Sequence, residues 1–225
     1  MTDTFPDSIS EITSNIEVDS VSTKNTCRCP WLDTSKADYV QYHDEEWGVP
    51  VLEDNKMFEY LVLESAQAGL SWYTILKRRD GYRKAFANFD VDKVTLFTQA
   101  DEERLVLDPA IIRHKGKIAS TVNNAKCFIA IQKEFGSFVN YIWGFVDNKV
   151  QVSNLNKMSD YPATCPISDA LSKDLKKRGF KFVGSTTIYA HLQASGLIND
   201  HSNDCYRKQQ IIDSYNSLGV KWQQC

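Results

Sequence analysis

The sequence predicts a mainly α-helical fold, and three observations carry that prediction. Apolar residues recur at three- and four-residue steps through most of the chain after residue 34. Glycines stand where those runs stop, at Gly69, Gly136, Gly179 and Gly196. Apolar–polar alternation is confined to one short run, NKVQVSN at 148–154.

The elements follow in order. NKMFEYLVLESAQAG (55–69) reads as a helix capped by Asp54 or Asn55 and stopped by Gly69. DGYRKAFANF gives a short helix, and VDKVTLFTQADEERLVLD gives two more, the second opened by Asp101. In HKGKIASTVNNAKCFIAIQKEFG (114–136), Ile118, Val122, Ala125, Phe128, Ile129 and Ile131 keep helical rhythm until Gly136. SFVNYIWGFV continues as a helix. SDALSKDLKKRGF is capped by Ser168 and stopped by Gly179, and STTIYAHLQASG is capped by Ser185 and stopped by Gly196. DCYRKQQIIDSYNSL closes the chain as a helix.

A length of 225 residues with 42% hydrophobic content suits one compact domain. Residues 1–26 are rich in Ser, Thr, Asp and Glu and carry a net charge of −4; we expect a disordered acidic tail there. Residues 27–225 are then a single helical domain with a net charge of +1. Its bases gather in KRRDGYRK (77–84), RHKGK (113–117) and SKDLKKRGFK (172–181). Local patches of this kind suit phosphate, although each also reads as an ordinary solvated helix face. The chain lacks a long apolar run, which excludes a membrane span, and its acidic start does not read as a secretory signal. Its six cysteines are therefore expected as thiols or metal ligands rather than as a disulfide framework.

Three constellations bear chemistry. First, a spacing of four residues would put His201 and Cys205 on one helical face, where both can bind one metal. Cys27, Cys29 and His43 are the candidates for the other half of a tetrahedral zinc. An ordinary cysteine with a surface histidine is the plain alternative. Second, Glu64 shares a helical stripe with Met57, Tyr60, Leu61 and Ala68. A carboxylate on such a stripe is paired, neutralised or turned to a pocket, and the bases at 77–79 are available for pairing. Trp72 follows this helix and Trp31, Tyr39 and Tyr42 sit in the N-terminal segment; beside a buried carboxylate they would make a box for a flat cation, or simply core. Third, LVLDPAIIRHKGKIAST (105–121) reads as a helical hairpin whose backbone N–H groups and Lys115 or Lys117 can meet a phosphate. It lacks the usual glycine-rich turn.

Six stretches then carry a resemblance: CPW (29–31), YHDEEWGVP (42–50), LESAQAGLSWYTILKRR (63–79), IIRHKGKI (111–118), SDALSKDLKKRGFKFVGSTTIY (168–189) and QASGLINDHSNDC (193–205). Together they resemble the DNA-3-methyladenine glycosylase I family of alkylation-repair enzymes, over roughly Cys29 to Cys205. The resemblance implies a helix–hairpin–helix glycosylase domain, with its hairpin near 108–118. It also implies one structural zinc on Cys29, His43, His201 and Cys205, clipping the N- and C-terminal segments together. Carried over residue by residue, Glu64 is the catalytic pocket glutamate. Tyr42 and Trp72 bind the base, with Tyr39 and Trp31 beside them. Leu70, in the turn AGLSW, is expected as the wedge, with a buried loop residue as the plain alternative, and Arg113, Lys115 and Lys117 are expected to contact DNA. Members often carry serine where this chain has Ala190.

The expected activity is hydrolytic removal of flipped-out 3-methyladenine from alkylated double-stranded DNA, without a lyase step. The expected enzyme is a cytoplasmic monomer with no protein partner. Removal of another alkylated purine, a catalytically silent damage-binding module and a zinc-stabilised interaction domain are the rival readings.

Overall fold

A computed structural model of the protein describes residues 26–225. All but the last residue of the expected acidic tail lies outside them.

The described chain is mainly helical. Helix α1 (Ala37–Glu45) leads to α2 (Asp54–Gln67), α3 (Trp72–Leu76), α4 (Arg79–Ala85), α5 (Val91–Thr95) and α6 (Gln99–Val106). The long α7 (Lys115–Phe135) and α8 (Phe138–Gly144) follow, then strand β1 (Lys149–Val152). After it come α9 (Pro166–Lys177), α10 (Ser185–Ala194), strand β2 (Ile198–Asn199), α11 (Tyr206–Ser214) and strand β3 (Lys221–Gln224).

Helix α2 is the centre of the fold. Every residue from Met57 to Ala66 is buried, so its apolar surface is not one stripe but nearly the whole circumference. α7, α8 and α10 pack around it. Phe58 stands edge-on to Phe128 of α7, with ring centroids 5.3 Å apart, and Phe128 stacks on Phe138 of α8 at 4.1 Å.

The helix stops are those expected. Gly69, Gly136, Gly179 and Gly196 all adopt positive φ, which glycine accepts without steric cost. The starts shift by a few residues. Asp54 is not the cap of α2 but its first residue, and its carboxylate serves another helix. It accepts the Phe138 and Val139 N–H groups at the start of α8, both at 2.9 Å. Thr98 caps α6, with Asp101 closing a capping box three residues on. Cys165 caps α9, and Pro166 fills its first position. Gly184, not Ser185, stands before α10.

The sheet exceeds the single strand expected. β1 lies between β2 and β3, parallel to both, with Val152 opposite Asn199 and Gln224. The last residues of the chain thus return to the body of the domain. α6 and α7 are joined by residues 107–114, in which the Asp108 carboxylate accepts the Ala110 N–H. No helix among the described residues is long and apolar enough to cross a membrane.

Candidate base pocket and metal centre

Glu64 projects from the middle of α2 into a pocket of about 220 Å³. Trp31, Tyr39, Tyr42 and Trp72 line it as expected candidates; Trp47, Gln67, Met158, Tyr161, Pro162, Ala190 and Gln193 complete it. The bases that could have neutralised Glu64 are engaged elsewhere. Arg79 reaches the Glu46 carboxylate at 2.7 Å, and Arg83 reaches Glu59 at 2.8 Å. Arg78 donates to the Thr74 carbonyl, and Lys77 lies over the Tyr73 ring. The 77–84 cluster is therefore largely consumed inside the protein.

Glu64 is left buried, and its Oε2 has no protein partner. Burial pushes its carboxyl up to about 8, because the charged form has lost its water and gained nothing in return. The Trp31 and Trp72 indole N–H groups and the Tyr161 hydroxyl, also in the pocket lining, lack partners as well. A carboxyl and two indole N–H groups left unpaired among the lining residues are groups that a polar, flat ligand could satisfy.

The aromatic rings form a wall rather than a slot. Tyr42 and Trp72 have centroids 5.2 Å apart and tilt by 44°, so they touch each other and leave no space for a third ring between them. Tyr39 continues the wall beside Tyr42, and Trp31 beside Tyr39.

The far side of that wall is a cluster of four buried donors. The ligand atoms of Cys29, His43, His201 and Cys205 lie within 4.8 Å of one another. His201 Nδ1 is 3.3 Å from both sulfurs, and His43 Nε2 is 3.6 Å from Cys205 Sγ. Zinc bonds of about 2.0 Å to nitrogen and 2.3 Å to sulfur set tetrahedral sulfur–nitrogen edges of about 3.5 Å. The residues fit zinc.

Their orientation fits too. His43 Nδ1 lies 2.7 Å from Asp44 Oδ1, and His201 Nε2 lies 3.0 Å from the Trp47 carbonyl. These contacts turn His43 Nε2 and His201 Nδ1 toward the two thiols, as a shared ion would require. Arg28 in turn holds Asp44 through hydrogen bonds of 2.8–3.1 Å. The exposed Cys27 turns away, with its thiol 3.1 Å from Asp204, so Cys29 is the N-terminal cysteine of the cluster. One premise fails. Residues 201–205 form a turn and not a helix, and Cys205 is the cap of α11. The spacing of four works because the turn folds both side chains inward.

The wall and the cluster share their supports. Tyr42 and His43 are neighbours on α1, one in the pocket and one in the cluster. Trp31 packs 5.3 Å from the His43 ring, and Trp47 packs 4.7 Å from His201.

The DNA-contact candidates divide. Leu70 is 40% exposed on the turn between α2 and α3. Arg113 and Lys115 are exposed at the start of α7, and Lys115 also borders a groove with Glu102 and Glu103. Lys117 differs. Its ammonium donates to the carbonyls of Ala66 at 2.8 Å and Ala68 at 2.6 Å. It satisfies the C-terminal end of α2, so two of its three N–H donors are engaged inside the protein. In the third basic cluster, Arg178 is paired with Glu134 and Asp174.

Several lining residues escaped the sequence reading. Trp47 stood in the quoted motif without an assigned role. Tyr161 sits in an irregular loop with no periodicity to flag it. Gln193 is held by the Asp200 carboxylate at 2.7 Å, a contact across a turn that spacing does not reveal.

A sequence profile of the methyladenine glycosylase family matches residues 31–208. The chain belongs to that family. It is 47% identical to DNA-3-methyladenine glycosylase 1 of Escherichia coli, over 79% of this chain and 95% of the relative. It is 44% identical to DNA-3-methyladenine glycosylase of Haemophilus influenzae, over 80% of this chain and 97% of that one. Among solved structures, one of 3-methyladenine DNA glycosylase I superposes with a TM-score of 0.78, at 44% identity, covering 80% of this chain and 98% of that one. The Staphylococcus aureus 3-methyladenine DNA glycosylase I, solved for its recognition of 3-methyladenine, gives 0.76 at 39% identity, covering 78% and 93%. The family match spans both the pocket and most of the metal cluster, and begins just after Cys29.

Proposed function

We propose that this glycosylase-family chain removes 3-methyladenine from alkylated double-stranded DNA by hydrolysis, with no lyase step. One observation carries the reading: a buried, partnerless Glu64 carboxyl set in an aromatic pocket. The relatives' names support it.

3-Methyladenine in DNA carries a positive charge, which makes it a ready leaving group. The nucleotide turns out of the stack and its base lies against the Tyr42–Trp72 wall. Each aromatic face attracts a flat cation by about 0.5–2 kcal/mol, and a neutral adenine gains much less. Glu64 ionises as the cation arrives, because the positive ring replaces the solvation that burial removed. Its carboxylate accepts hydrogen bonds from the adenine edge. Water then bonds to the sugar carbon, the glycosidic electron pair passes to the base and cancels its charge, and a proton leaves to solvent. No lysine becomes covalently attached.

α6, the connector and α7 act as the helix–hairpin–helix element, with Arg113 and Lys115 toward phosphates and Leu70 filling the gap left by the flipped base. Cys29, His43, His201 and Cys205 hold one zinc. Four protein ligands leave no open position, so the ion is a structural clip. On this reading the enzyme works in the cytoplasm, beside the DNA, as a monomer.

The test is base release. The purified protein is incubated with methylated DNA, and free bases are separated by chromatography. Free 3-methyladenine without 7-methylguanine is the expected result. No release by folded, zinc-loaded protein overturns the proposal and leaves a damage-binding module in its place.

A further inference from the structure

The loop between α9 and α10 holds an aromatic ring in a conformation that aromatics avoid. Phe182 has φ +57, in the left-handed region, and is 38% exposed. Gly184, two residues on, has an ordinary φ of −61, so the loop's glycine does not take the strained position. A bulky residue stays left-handed only when its surroundings over-determine it.

Here they do. Asn124 of α7 is buried, and its side chain bonds both backbone groups of Lys181, accepting the N–H and donating to the carbonyl, each at 2.9 Å. Asn123 donates to the Gly179 carbonyl at 2.9 Å. Two adjacent asparagines thus fasten the loop to α7. The Phe182 ring meets His114 edge-on at 6.1 Å. Its tip would lie 3.6 Å from a Cβ added at Gly116, an ordinary contact distance, so the ring lies beside the first turn of α7. Arg113, Lys115 and Lys181, next in sequence to His114, Gly116 and Phe182, are exposed. The next residue of the same helical turn, Lys117, ties down the turn that carries Leu70.

We propose that Phe182 is a second apolar contact with the DNA, packing its ring on the duplex beside the flipped nucleotide, while Leu70 fills the gap itself. This rests on the glycosylase reading above. A buried and a half-buried asparagine and a strained backbone present an exposed ring near exposed cations, on the helix end that anchors the Leu70 turn. Apolar side chains pressed against a duplex hold it bent and open.

The experiment uses the full-length protein and a labelled duplex containing a tetrahydrofuran abasic analogue. Phe182→Gly accepts φ +57 without strain, so the loop is kept and only the ring is lost. The expected result is an affinity for this duplex about tenfold weaker, with Tm held within a degree or two of the parent. Phe182→Tyr retains an aromatic face and binds like the parent. Folded Phe182→Gly that binds within twofold of an active parent overturns the inference alone. A parent that releases no base overturns the functional reading instead. If Phe182→Gly fails to fold, Phe182→Asn, which tolerates the left-handed region, gives the same discrimination.

Discussion

The Lys117 ammonium lies 2.6 Å from the carbonyl oxygen of Ala68, which joins the first turn of α7 to the last carbonyls of α2. Desolvation holds its pKa below the usual lysine value. The lysine is a brace between the two parts expected to meet DNA. Lys117→Met should destabilise the protein by about 1–3 kcal/mol, the cost of hydrogen bonds to a charged group. It should also slow base release by loosening the Leu70 turn. The salt dependence of DNA binding should stay unchanged, because no phosphate contact is lost. A salt slope reduced by about one would show instead that Lys117 reaches a phosphate.

Arg113→Ala makes the contrasting case. Arg113 is exposed at the same helix end and makes no side-chain hydrogen bond or ion pair among the described residues. Its removal should lower the salt slope by about one and weaken binding to every duplex sequence alike. Thermal stability should hardly move. Binding titrations at several salt concentrations decide this.

Glu64→Gln keeps the shape of the pocket and removes its charge. Release of 3-methyladenine should fall on the order of a hundredfold. Zinc content and fold should persist. Unchanged release would remove Glu64 from the mechanism.

The same variant tests the carboxyl's titration. Its folded value is raised to about 8 from the ordinary 4.5. The proton therefore binds the folded state more tightly. The stability linked to it is fully present below about pH 4.5 and is lost as pH rises through about 8. Melting curves of the parent should decline relative to Glu64→Gln between those limits, by a few kcal/mol at most. Parallel curves would mean that Glu64 is ionised in the empty pocket.

The metal cluster predicts one zinc per chain by elemental analysis. Cys29→Ser and His201→Asn should each lose the ion and lower Tm by roughly ten degrees, several kcal/mol for a chain of this size. Activity should fall as well, since Trp31 and Tyr42 lean on the cluster. Metal-free parent protein with unchanged melting would remove the clip.

Much of the helical frame was legible from local signals. The positive-φ glycines and the rhythm of Ile118 to Ile131 mark real helix ends and a real buried face. The sheet was not legible. β2 has two residues, and β3 is the polar Lys-Trp-Gln-Gln, exposed at every position, so neither alternates. Their pairing with β1 is set by chain segments far apart, which no local window contains. The four cluster residues were named through a resemblance. Their convergence depends on a turn at 201–205 that spacing alone misread as helix. Whether Glu64 was paired could not be read from the sequence either. The answer lay in Glu46 and Glu59, which take the arginines that follow it.

The contact between Cys29 and His201 spans 172 residues, and that between Cys205 and His43 spans 162. Translation therefore delivers the two halves at opposite ends of its course. While α1 through α9 emerge, Tyr42 and Trp31 have their aromatic neighbours Tyr39, Trp47 and Trp72 but not the His201 and Cys205 side of the cluster behind them. The wall sets when the last part of the chain has left the ribosome. A chain cut short before His201 lacks two of the four donors and cannot complete the cluster.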